Sequence, residues 1–346
     1  MIKVLVVGGG LAGSLLAWEL HQRGIAVRMV FDPAIASASR VAAGLINPVL
    51  GQRLVLQADY HQHWLHACQC YEQLARQFGQ PFLHHRSMLR VMLSTKQAER
   101  WQKRQQQADY ANLLGQAQHI PWLNAPDGCF MQEQTAYLDI PCLLDALHGF
   151  FRQRGCLHET ALNYDALQLH QHGVRWQQHD FSHIVFCEGW RVCHNPWFST
   201  LPMRPAKGDI LRLQVPAHVS DAIINKGHWL CPRGGSTYWF GASFEADNTD
   251  ETTSRTTRHQ LLAHYRSLFK QAPATACTAH HTGIRPATAD KQALLGRHPE
   301  FPQLLVCNGF GSHGSLRMPR HIALLADHLQ HHQPLPKNID VRRCLA

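Results

Sequence analysis

The sequence predicts an α/β fold that opens with a parallel sheet covered on both faces, and three observations carry that prediction. Residues 4–7, VLVV, form an unbroken apolar run of the kind found in strands buried on both sides. The glycine cluster GGGLAG follows at once, at residues 8–13. Leu11, Leu15, Leu16 and Leu20 then recur near helical spacing, and VRMVF at residues 27–31 returns to strand character.

Strand, glycine turn, helix and strand within some thirty residues make a dinucleotide-binding unit, and the spacing Gly8-x-Gly10-x-x-Gly13 is its fingerprint. Gly8 permits the tight turn, Gly10 lets backbone amides approach a pyrophosphate, and Gly13 lets the helix close onto the sheet. The helix start, at Leu11 and Ala12, offers unpaired N–H groups and the positive end of the helix dipole. Gly24 is placed to end that helix. An acidic residue about 20 residues further on is expected at the ribose. The second strand ends on Phe31, and the acid, Asp32, comes one later. Asp32 either reaches the ribose or shapes the turn before Pro33, and both readings stand.

With 346 residues the chain has room for two domains, and 45% hydrophobic against 16% charged residues excludes disorder. No apolar run approaches the roughly 20 residues of a membrane span. MIKVLVVGGG lacks the cleavage region of a signal peptide, so the expected location is the cytoplasm. Eleven scattered cysteines, without a Cys-x-x-Cys pair, read as reduced and mostly buried thiols. The 26 histidines include the adjacent pairs His84-His85, His280-His281 and His331-His332 but no His-Glu-x-x-His, so a scattered polar surface is expected and no metal. The formal charge is +9, but the 33 Lys and Arg are spread along the chain, which favours a solvated basic face over a nucleic-acid groove.

VVGGGLAGSLLAWELHQRGIAVRMV followed by SASRVAAGLINP resembles the start of the FAD-dependent D-amino acid oxidase and glycine oxidase superfamily. The resemblance runs nearly the length of the chain, through YLDIPCLLDALHGFFRQRGCLHETALNY, FSHIVFCEGW, TGIRPATADKQALLG and LLVCNGFGSHGSLRMPRHIALLADHL. It implies a Rossmann-like FAD-binding domain in three pieces, 1–80, 138–200 and 281–346, with an inserted, mainly antiparallel substrate domain at 81–137 and 201–280. It also implies that Ser39 and Arg40 meet the diphosphate, that Gly44, Leu45 and Ile46 lie along the flavin, and that Leu162 touches the adenine side. Gly189 belongs to the central crossing, where Glu188 departs from the usual small residue. The loop from Gly309 through Gly311, Ser312, His313, Gly314 and Ser315 to Leu316 is expected to cap the flavin's pyrimidine end, ahead of a last helix around residues 321–329. Some relatives tether FAD through a cysteine where this chain has Gly283, so FAD is expected to be non-covalent.

The chemistry implied is oxidation of a C–N bond in a small amine or amino acid by hydride transfer to flavin N5. Such a step needs orientation and water exclusion more than acid–base catalysis, and no residue is assigned as a catalytic acid or base. Arg285, in GIRPATAD, stands where amino-acid oxidases pair a substrate carboxylate; the other reading is a scaffold arginine bracing the turn. Trp229, with His228 beside it, stands where relatives place a substrate-facing tyrosine, or is a core aromatic. Ser312 replaces a second arginine of the glycine-oxidase branch, which argues against plain glycine. GFGSHGS is similar to the loop in the oxidoreductase half of the bifunctional tRNA wobble-uridine methylaminomethyl enzymes, so an RNA-modifying flavoenzyme is the alternative, although no methyltransferase half accompanies it. A flavin-binding protein with little catalysis of its own is the third reading. No motif encodes the electron acceptor.

Overall fold

The computed structural model describes residues 2–216 and 218–345. β1 (Lys3–Val7), α1 (Leu11–Gln22) and β2 (Ala26–Phe31) form the opening unit, with β2 parallel to β1 and Val4 opposite Val27. Gly24, at φ +72°, takes the left-handed turn that ends α1. α2 (Tyr60–Phe78) follows the segment of residues 39–53, and α3 (Ile140–Gln153) is capped by Asp139, whose carboxylate accepts the Cys142 N–H. β3 (Leu157–Glu159) and β4 (His183–Phe186) then flank the opening pair. β5 (Ala206–Gln214), β6 (His228–Pro232), β7 (Thr237–Gly241), α4 (Arg255–Ser267) and β8 (Ala276–Arg285) build a second layer. β9 (Leu294–Arg297), β10 (Leu304–Asn308) and α5 (Gly314–His331) return to the first.

The first sheet has the order β3-β2-β1-β4-β10-β9, parallel except for the antiparallel β9–β10 pair. The VLVV run explains itself here. Val4 and Val6 point into the core shared with α1, α3 and α5, while Leu5 and Val7 point into a second core with Leu167, Val174 and Phe181. The second sheet has nine strands and is antiparallel apart from the parallel pairing of Met88–Val91 with Ile223–Lys226. Leu211 and Leu213 of β5 pack against Leu261 and Tyr265 of α4, which leaves the opposite face of β5 toward the first sheet. Strands of the first sheet fall within 1–80, 138–200 and 281–346, and those of the second within 81–137 and 201–280, except that β8 runs on across 280 to Arg285.

Three expectations are corrected. The histidines are not all on the surface: His63, His148 and His321 are buried, His63 stacked on His321 with ring centroids 5.0 Å apart. All eleven cysteines are free thiols, but only Cys129, Cys187, Cys231 and Cys307 are fully buried; several others, such as Cys70 and Cys142, sit at the edges of amphipathic helices. The last helix starts at Gly314, well before residue 321, even though Pro319 lies inside it. Proline cannot donate to the carbonyl four residues back. That carbonyl belongs to Ser315, and the buried Tyr71 hydroxyl donates to it at 2.8 Å instead.

Candidate functional site

The glycine turn after β1 shapes one end of a long cavity of about 690 Å³ between the two sheets. Gly8, at φ +119°, donates its N–H to Val30 O at 2.9 Å, and a Cβ there would fall 2.3 Å from Cys187 O. Gly10 caps α1 without a side-chain bond, and no acid stands in the first helical turn. The cap comes from elsewhere in the chain: Ser39 Oγ accepts the Leu11 N–H at 3.0 Å. Gly8, Gly10, Leu11, Ala12, Ser39 and Arg40 all line the cavity. Gly13 does not. It packs behind the turn, where a Cβ would sit 2.1 Å from Gly8 O, so it serves the helix–strand approach. A Cβ on Gly9 would strike the Phe31 ring, so the aromatic that replaces the usual acid fills the space beneath the turn. Asp32 lines the cavity and accepts the Ala34 N–H at 2.9 Å, the contact that shapes the turn at Pro33.

The segment Ser39–Ile46 lies between this cavity and the strand Ala136–Leu138. Gly44, at φ +68°, accepts the Leu138 N–H at 2.9 Å, and a Cβ there would fall 2.0 Å from Leu138 O. Gly44 and Leu45 face the cavity, whereas Ile46, one strand position on, turns into the core and is removed from the site. Arg233, stacked between Tyr137 and Trp239 with its guanidinium 4.1 Å from each ring centroid, donates to Ala43 O and ties the second sheet to this segment.

At the far end Arg285 closes β8. Its Nη1 donates to Lys207 O and its Nη2 to Ser243 O, each at 3.1 Å. The guanidinium lies directly over Gly208, where a Cβ would come within 2.1 Å of Nη2. Burial pulls its pKa down, with the Asp209 charge opposing. Asp209 points to the other face of β5, where His280 Nε2 meets it at 2.8 Å, so no carboxylate among the described residues pairs with Arg285. Trp229, Ile210 and Gly208 wall the cavity beside it. His228 faces away, stacked on His264 at 4.2 Å and on Phe240 at 5.9 Å, because neighbours on a strand point to opposite faces.

Gly189 and Leu162 line the first end of the cavity, and Gly311, Ser312, Gly314 and Ser315 its wall at the start of α5. His313 and Leu316 do not: His313 is the N-cap residue of α5, pushed down to about 4 by burial, and Leu316 is in the core. Several lining residues escaped the sequence reading as site residues, Glu188 and His148 among them. Glu188 had shown only as a departure from pattern. It takes the Tyr164 hydroxyl at 2.5 Å and the Asn195 amide at 2.8 Å, and burial pushes it up to about 7. His148, on the buried face of α3, meets Ser14 Oγ at 3.0 Å and is pushed down to about 4 by burial. No motif in the sequence singles it out.

A glycine turn at a helix start, an apolar wall and a long cavity between the sheets fit FAD. Residues 3–327 match the DAO family, described as FAD dependent oxidoreductase. The chain is 26% identical, over 96% of its length, to the tRNA 5-methylaminomethyl-2-thiouridine biosynthesis bifunctional protein MnmC of Methylobacillus flagellatus, and spans 57% of that protein. It is 29% identical to the glycine oxidase of Geobacillus kaustophilus over 37% of this chain and 34% of that one. The crystal structure of glycine oxidase from Geobacillus kaustophilus superposes with a TM-score of 0.79 at 21% identity, covering 96% of this chain and 95% of that one. Iminodiacetate oxidase from Chelativorans sp. BNC1 gives 0.80 at 18% identity, covering 97% and 98%. Among the described residues no helix is long and apolar enough to cross a membrane.

Proposed function

The chain belongs to the DAO family of FAD-dependent oxidoreductases, and from that membership we propose that it oxidises a C–N bond of an amine or amino acid whose carboxylate is held by Arg285. The observation that carries this is the guanidinium itself: half-buried, fixed by two backbone carbonyls and facing no acid among the described residues. A cation drawn partly out of water without a counter-charge is costly, and a substrate carboxylate supplies one. The N–H donors not spent on Lys207 O and Ser243 O form a planar fork suited to that partner.

The chemistry FAD supplies when bound is acceptance of a hydride at N5. The protein's share is positional. Gly10, Leu11 and Ala12 present backbone amides to the diphosphate, and Arg40 and Ser39 flank them. Gly44 and Leu45 would hold the flavin side, with Gly311, Ser312, Gly314 and Ser315 forming the wall at the start of α5. Trp229 and Ile210 exclude water around the carbon that reacts. Eleven free thiols suit a reducing compartment, and we place the enzyme in the cytoplasm.

The test is an anaerobic reduction screen of the purified yellow holoenzyme. Loss of flavin absorbance with one class of amino acid or secondary amine is the expected result. A flavin that no carboxylate-bearing amine reduces overturns the reading. The second reading, oxidation of an aminomethyl-type group on an RNA base, is favoured by the likeness along 96% of the chain to a tRNA-modifying relative and by the charge of +9. Reduction by under-modified tRNA alone, with binding that falls steeply as salt rises, selects it.

A further inference from the structure

Beside the main cavity lies a second, smaller cleft of about 170 Å³. Arg40, Val41 and Ile210 line both, so the two adjoin where the Arg40–Val41 segment meets Ile210 of β5. The cleft is floored by Trp239 and edged by Arg212 and His281. On β5 the residues Gly208, Ile210 and Arg212 share one face, which places Arg212 four positions along the strand from Gly208, under the Arg285 guanidinium. At about 3.3 Å per residue that separation is roughly 13 Å.

The charges of these two spaces are unevenly distributed. The acids on the main cavity wall, Asp32, Asp145, Glu159 and Glu188, belong to the segments around the glycine turn, α3 and β4. Asp145 is held by Arg40 and Glu159 by Arg152, each at 2.8 Å. None of the residues lining the small cleft is an acid, and Asp145, paired with the lining residue Arg40, is spent on that contact. Arg212 is exposed, lies over the Trp239 ring at 5.8 Å, and has no carboxylate partner among the described residues. The Arg233 guanidinium also lies over the Trp239 ring, at 4.1 Å from its centroid. A cationic fork held against an aromatic platform, one side chain from a substrate cavity, is built to receive an oxyanion.

Resting on the reading of Arg285 as the carboxylate anchor, we propose that this cleft is a second anion subsite, so that the preferred substrate is an amine carrying one carboxylate near the reacting carbon and a second acidic group, carboxylate or phosphate, some way down a chain. The first group sits on Arg285, the chain passes Ile210, and the distal oxyanion lies between Arg212 and His281 over Trp239. Simple amino acids then fill only half of the site.

The experiment is a titration of the holoenzyme followed by the perturbation of flavin absorbance, using decanoate and sebacate as probes of matched length with one and two carboxylates. Sebacate is expected to bind about tenfold more tightly or better, the scale of one charge-assisted contact. Arg212→Gln should erase that advantage and leave decanoate unchanged, and Arg212→Lys should keep part of it. Equal affinity of the two probes in wild type, or equal weakening of both by Arg212→Gln, overturns the subsite while leaving Arg285 as anchor. If neither probe nor benzoate perturbs the flavin, the Arg285 reading falls and takes this one with it. Displacement of sebacate by bulk tRNA at low salt, abolished in Arg212→Gln, supports the subsite with a nucleic-acid phosphate as the oxyanion. Tight sebacate binding that tRNA leaves untouched supports it with a small molecule.

Discussion

Arg285 and Gly208 act as one unit at the residue scale. The guanidinium occupies the space that any side chain at 208 would need. Arg285→Ala should lower kcat/KM by about a hundredfold or more, because a carboxylate would be buried without its partner, and Arg285→Lys should fall between, keeping charge but losing the fork. The flavin spectrum should survive both, and benzoate should perturb it in wild type and not in Arg285→Ala. Gly208→Ala should raise KM by displacing a still-present arginine. Unchanged turnover of the native substrate in Arg285→Ala would place the residue in the scaffold. Arg285 was legible from the GIRPATAD turn, but its dependence on Gly208 was not, since the two are 77 positions apart and meet only through the pairing of Gly208 with Gly283. Trp229 and His228 were adjacent letters with similar claims, and the pleat of β6 separated them.

Elements decide how the glycines are used. Gly10→Val should weaken FAD binding at least tenfold, because a Cβ there already lies 3.2 Å from Ser39 Oγ, the group that caps Leu11. Gly24→Ala is the matched control: its added Cβ meets nothing within 4 Å, so the strain of φ +72° should cost about 1 kcal/mol of stability with cofactor retained. Equilibrium dialysis of FAD separates the two, and full occupancy in Gly10→Val would reduce the fingerprint to a tight turn. The last helix offers another check. Tyr71→Phe removes the hydroxyl that satisfies the Ser315 carbonyl and should cost about 1–3 kcal/mol in urea unfolding. The sequence placed the last helix around residues 321–329, and the turn it missed carries Pro319, where the contact from α2 satisfies the carbonyl that proline leaves free.

Across the whole molecule, burial of histidine sets the response to acid. His63 is pushed down to about 3 and His148 and His321 to about 4, in each case chiefly by burial. Each takes up its proton in the unfolded chain near 6.5, before the folded protein can, so stability is lost as pH falls from about 6.5 toward 4. One histidine buried like His321 contributes on the order of 3 kcal/mol when the loss is complete. Glu188 works in the opposite sense, since an acid raised to about 7 weakens the fold as pH rises from 4.5 toward 7. Three histidines outweigh one acid, so Tm should fall steadily between pH 6.5 and 4.5, and His321→Phe should flatten the fall. A Tm that is level over that range would contradict the burial of these rings. The sequence by itself determined the opening unit, because glycine spacing and apolar periodicity are local rules that a strand, turn or helix obeys wherever it lies, and its resemblance to a family carried the expectation of FAD. Only the tertiary structure decided which of the expected residues face the cavity, that Ser39 caps α1, that Glu188 and His148 belong to the wall and that Arg285 has no acid beside it. Those are facts about neighbours distant in sequence, and strand register and helix packing, acting over hundreds of residues, are what bring such neighbours together.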